Sequence, residues 1–147
     1  MGSKNGLLIA AEVPHAETAE LPAAFASLME EPVKRDPVCR GKVAIARALH
    51  DRDEWHDLFI AGARHVQKEP ALGGPVDTAG ELRCICGIAY AHCRRPDALD
   101  GLADLLADPE PVTRIAAAQG CGVAWRPDAS ALLRFKLRTG DAQPEVI

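Results

Sequence analysis

The residues of this chain best suited to covalent or metal chemistry are five cysteines and five histidines. The cysteines are Cys39, Cys84, Cys86, Cys93 and Cys121. Cys84 and Cys86 form a C-x-C, with His92 and Cys93 close behind. A structural zinc site needs four converging ligands. Two residues apart on a helix, side chains diverge by about 200°, so Cys84 and Cys86 cannot face one ion. Cys86 and Cys93 do share a helical face, where small core thiols are common. The histidines His15, His50, His56, His65 and His92 contain no H-E-x-x-H and no i, i+4 pair. Cys39 with His50 would be a nucleophile pair, but no nucleophile elbow, oxyanion glycine motif or orienting acid accompanies it. Gly73-Gly74-Pro75 lacks both the Lys-Ser/Thr and the preceding strand of a phosphate loop. No catalytic, cofactor-binding or metal-ligating residue is expected, and no cofactor.

Binding residues are a different matter. Arg40, Arg83 and Arg114 recur at one position, each shortly after an aspartate: Asp36, Asp77 and Asp108. Such a row could grip the carboxylates or phosphates of a partner. The favoured reading is a ladder in which each arginine pairs with a turn aspartate of its own or the next repeat, because Arg and Asp recur together and the net charge is −4. Residues 69–78, around Gly73 and Gly74, read as an inter-helix turn interrupting a regular array, and such loops often bind. Trp55 and Trp125 are either exposed anchors or covers for the ends of the core. The partner-binding candidates are therefore Arg40, Arg83, Arg114, Gly73, Gly74 and Trp125.

The elements that must position these residues repeat. Residues 81–99 align with 112–130: Arg83 falls on Arg114, and Arg95-Pro96-Asp97-Ala98 on Arg126-Pro127-Asp128-Ala129. A third copy upstream places Arg40 on Arg83, Ile45 on Ile88 and Ala46 on Ala89, with the extra residues assigned to the 69–78 loop. Each copy reads as two helices. Leu99, Leu102, Leu105 and Leu106 line one helical face over about 97–107. Asp108-Pro109 then turns the chain and opens a helix over about 109–124, as Asp36-Pro37 does earlier. Residues 84–93 could alternate as a strand, but their Ala-rich equivalent, 115–119, is a poor one. Every proline fits a helix start or a connection. Of the 147 residues, 48% are hydrophobic and only 4% aromatic, as an all-α protein rich in alanine and leucine would have.

A helix pair of this length, with Asp-Pro opening its second helix and Arg a few residues on, resembles the HEAT-like repeats of bacterial proteins. The residues that carry it are Asp36-Pro37 with Arg40, Asp77 with Arg83, and Asp108-Pro109 with Arg114. The resemblance implies an α-α superhelix, a HEAT/armadillo-like solenoid of about three and a half antiparallel helix pairs. Its repeats would be about 17–53, 54–95, 96–126 and a partial 127–147, forming a single domain over 1–147. It implies a non-catalytic scaffold that binds a protein partner on its concave helical face. The runner-up is an enzyme or enzyme subunit of the HEAT-like phycobilin lyase or DNA glycosylase type. Acidic net charge and few aromatics argue against nucleic acid. No apolar run reaches the roughly 18 residues that span a bilayer. No secretory signal is legible and the cysteine count is odd, so a cytoplasmic protein with reduced thiols is expected. The last unit lacks its second helix, which suggests a piece of a longer solenoid, or self-association through that open end.

Overall fold

Good helix formers broken at short intervals by proline, glycine and aspartate give short helices. The computed structural model describes residues 19–93, 95–123 and 127–146. Among them are eight α-helices: α1 (Leu21–Glu30), α2 (Pro32–Arg35), α3 (Arg40–His50), α4 (Leu58–Ala63), α5 (Gly80–His92), α6 (Ala98–Leu106), α7 (Pro111–Val123) and α8 (Pro127–Thr139). Single 3-10 turns lie at Pro37–Cys39 and Pro144–Val146. Residues 84–92 are helical, so the small-residue alternation there serves packing and not a pleat. Proline stands in the first turn of α1, α2 and α8 and opens α7, where its missing N–H is no loss.

The helices contact one another in two rows. In one, α3 touches α5 and α5 touches α7; in the other, α1 touches α4, α4 touches α6 and α6 touches α8. The rows face each other through α1·α3, α4·α5, α6·α7 and α7·α8 contacts. Helix α5 is the hub, packed against α3, α4, α6 and α7. Its Leu82 and Cys86 are fully buried, as is Leu102 of α6, and Phe59 of α4 is nearly so. Each such leucine or phenylalanine contributes roughly 1.5–3 kcal/mol on burial. Gly101 of α6 lies directly on the Tyr90 ring, so close that no Cβ would fit without moving it.

The 69–78 segment is more ordered than an open turn. Two short antiparallel strands, β1 (Lys68–Glu69) and β2 (Val76–Asp77), pair Lys68 with Asp77 and Glu69 with Val76. Gly73 and Gly74 take φ of +100° and +123°, which reverses the chain at little steric cost. Thr78 N–H donates to the Gln67 carbonyl at 2.9 Å and closes the base of the hairpin.

Candidate functional site

The N-terminal ends of α3, α5 and α7 carry a charge ladder. In each copy a cation stands six residues after the turn aspartate: Lys42 after Asp36, Arg83 after Asp77, Arg114 after Asp108. Arg83 grips Asp108 bidentately, Nε to Oδ2 at 2.7 Å and Nη2 to Oδ1 at 3.0 Å. Its Nη1 reaches back to Asp77 Oδ2 at 2.9 Å and to the His65 carbonyl at 2.8 Å. Arg114 repeats the pattern on Asp141, at 2.8 and 3.0 Å, and donates to the Asp108 carbonyl at 2.8 Å. Asp77, Asp108 and Asp141 each also accept from the backbone N–H two residues on, that of Ala79, Glu110 and Gln143, whereas Asp36 accepts from the N–H groups of Gly41 and Lys42. Burial pushes Asp77 upward, but the Ala79 and Gln67 N–H groups together with Arg83 outweigh it, so its carboxyl lies below the usual range. Arg114, Lys136 and the Gln143 N–H hold Asp141 well below it.

This geometry moves one expected residue. Arg40 is exposed at the start of α3, with no side-chain partner among the described residues. The ladder position belongs to Lys42, which is fully buried with Nζ 3.1 Å from Asp36 Oδ2. Aligning the helices by their small residues misplaces this copy, because two left-handed residues, Val38 (φ 59°) and Cys39 (φ 54°), intervene before α3. Counting from the aspartate finds Lys42. Arg83 is buried and Arg114 mostly so, and both spend their guanidinium groups on the chain's own carboxylates and carbonyls.

The strained turn before α3 is held by the hairpin. Val38 N–H donates to Glu69 Oε1 at 2.6 Å, and Gln67 Nε2 donates to the Asp36 carbonyl at 2.9 Å. Thr78 Oγ1 donates to the same Glu69 oxygen at 2.7 Å. Cys39 Sγ lies 3.1 Å from Gln67 Oε1. Burial raises the Cys39 thiol to about 11, far from the thiolate a nucleophile needs. His50 sits at the other end of α3, roughly 16 Å away by helical rise, so the two do not form a pair. Among the described residues no group of three His, Cys, Asp or Glu side chains could hold a metal ion.

At the C-terminal ends of α3 and α5 the picture reverses. A half-open cavity of about 210 Å³ lies there. His50 ends α3 and His92 ends α5; their rings stack 5.6 Å apart and 9° from parallel at its mouth. Trp55 and Phe59 line it with aromatic rings, and the acidic residues Asp53 and Glu54 line it too. Neither carboxylate has a side-chain partner among the described residues. The loop that carries them ends α3 in a Schellman arrangement: Glu54 N–H donates to the Leu49 carbonyl at 3.1 Å and Asp53 N–H to the His50 carbonyl at 3.0 Å. Asp53 takes φ of 56° at the position where glycine is the relaxed choice. Trp55 is 37% exposed, stacks on Tyr90 at 5.8 Å and carries the Arg95 guanidinium 5.6 Å from its ring centre. Of this site the sequence reading picks out only Trp55, as one of two tryptophan anchors or core covers; Asp-Glu-Trp just past a helix C-terminus was the signal for the rest.

The remaining candidates lie elsewhere. Gly73 and Gly74 form the exposed tip of the hairpin, away from both edges of α3 and α5 in any contact the structure records. Trp125 lies outside the described residues. Helix α8 buries only Ala129 and shows Phe135 and Leu137 to solvent, 68% and 62% exposed. No helix among the described residues is long and apolar enough to cross a membrane. No family model, no curated protein and no solved structure matches the chain.

Proposed function

We propose that the chain is a HEAT-like solenoid, a superhelix of about three and a half antiparallel helix pairs, acting as a non-catalytic scaffold that holds a protein partner. The observation that supports it best is that Arg83 and Arg114, each six residues after a turn aspartate at the start of successive helices of one row, both reach on to the next aspartate, Asp108 and Asp141. A ladder of this kind sets neighbouring copies in a constant register, as a repeat array requires. A preformed surface binds a partner segment without much loss of its own freedom. The face offered is that of α3, α5 and α7, where the exposed Arg47–Glu81 pair at 2.8 Å bridges the first two helices. The thiols support a reducing setting such as the bacterial cytoplasm, since all five are free.

The test is site-specific photo-cross-linking in cells. A cross-linker at Arg47 or Gln119, on the α3/α5/α7 row, should capture one defined protein. The same group at Ala61 or Asp104, exposed on α4 and α6, should not. Capture confined to α4 and α6, or turnover of a small substrate by the purified chain, would overturn the reading.

A further inference from the structure

We infer that the cavity at the C-terminal ends of α3 and α5 receives a basic side chain, arginine or lysine, from the protein partner. The inference rests on the scaffold reading and says where, and by what chemistry, the partner is anchored. Size comes first. About 210 Å³ is below the roughly 300–1,000 Å³ of sites that enclose drug-sized ligands, but it suits one long side chain. Charge comes next. Among the described residues Asp53 and Glu54, which line the cavity, have no cationic partner, whereas every carboxylate of the ladder has one. Two helix C-termini converge here, each adding partial negative charge from its terminal carbonyls. The walls complete the match: Trp55 and Phe59 offer apolar surface to the methylene stem of a basic residue, which buries its stem while its head stays with the carboxylates. Arg95 already lies over Trp55 and is paired with Asp97, so a guanidinium is a chemistry this wall accommodates.

The experiment follows the ring signals of His50 and His92 and the Trp55 indole by NMR on the full chain. The probe is the peptide acetyl-Gly-Gly-Arg-Gly-Gly-amide, set against the same peptide with neutral citrulline and against methylguanidine. The expected result is saturable shifts with the arginine peptide, at a dissociation constant on the order of millimolar, as a single solvent-edge anchor gives. Binding should weaken at least tenfold with citrulline, with Asp53→Asn plus Glu54→Gln, and on raising salt well above physiological strength. Asparagine tolerates the left-handed site, so that double variant should fold. Asp53→Gly is the second check: it should melt at a higher temperature than the parent and still bind more weakly. Equal shifts from the citrulline peptide, or none from the arginine peptide, would overturn the inference. Methylguanidine binding as tightly as the peptide would overturn its assignment to a protein side chain. The outcomes separate from those of the cross-linking test. A captured partner with a silent cavity removes only this inference; a responsive cavity with no captured partner removes the scaffold and the partner's share of the inference, and leaves the cavity's selectivity for a basic side chain.

Discussion

The two ends of α3 and α5 use the same kinds of residue to opposite effect. At their N-terminal ends, carboxylates and cations are buried against one another. Asp77, Arg83 and Asp108 leave 10% or less of their side-chain surface exposed. At the C-terminal ends, Asp53 and Glu54 line a cavity and have no cationic partner among the described residues. Buried charge must be neutralised locally, because the desolvation of an unpaired ion is prohibitive. Charge at a solvent edge can stay unpaired at little cost. The first edge is consequently committed to structure and the second is free to bind. The difference also explains why the arginines singled out by sequence, Arg83 and Arg114, are poorly placed to hold a partner, whereas an acidic pair of ordinary appearance is well placed.

The largest effect should come from breaking the ladder. Arg83→Ala leaves two carboxylates facing each other in a dry site and should destabilise the chain by about 3–5 kcal/mol, read from denaturant midpoints. Arg83→Lys should recover only part of this, because an ammonium cannot reproduce the two-pronged grip on Asp108. If Arg83→Ala were as mild as a surface change, the contrast between the two edges would collapse.

A steric change comes next. Gly101→Ala drives a methyl group into the Tyr90 ring, and a loss of roughly 1–3 kcal/mol is expected. Since Tyr90 stacks on Trp55, the Trp55 indole signal should move as well. A stability loss without that movement would uncouple the core from the cavity wall.

Lys42→Met should be milder than Arg83→Ala. Asp36 keeps the Gly41 and Lys42 N–H groups, at 2.7 and 3.0 Å, whatever the side chain at position 42. A cost of about 1–3 kcal/mol is expected, because the buried Asp36 carboxylate loses the Lys42 ammonium but keeps those two donors. A cost equal to that of Arg83→Ala would make the first rung as essential as the others.

Acid provides the gentlest probe. Asp77 and Asp141 titrate lower folded than unfolded. Their contribution is therefore fully present above the unfolded aspartate value of about 3.9 and is lost as pH falls through their depressed folded values. Melting temperature should drop between about pH 4 and pH 2, and the drop should be shallower in a variant already lacking Arg83. A drop of equal size in that variant would assign the acid sensitivity to other groups.

Much of this was legible in the residues. The leucine spacing of 99–106 marks α6, and Asp108-Pro109 marks the start of α7 within a few residues. The ladder is the favoured sequence reading for Arg83 and Arg114, because aspartate and arginine recur together. Lys42 was not part of it, since the copies were matched on helix composition while the chemistry is counted from the aspartate. The hairpin at 68–77 escaped because two-residue strands carry too few side chains to show alternation. The cavity escaped because its walls come from the end of α3, the loop after it, the first turn of α4 and the end of α5, spread over some forty residues.

What the sequence by itself determined is local. Helix starts, turns and the aspartate caps depend on bonds to groups a few residues away, such as the Glu110 N–H to Asp108 and the Glu54 N–H to Leu49. Only the tertiary structure decided which carboxylate each arginine would meet, Asp108 for Arg83 and Asp141 for Arg114. It alone decided that two helix ends and an acidic turn would enclose one space. Those pairings require neighbouring helices to settle in one register, and that register is set by the packing of side chains from both helices at once.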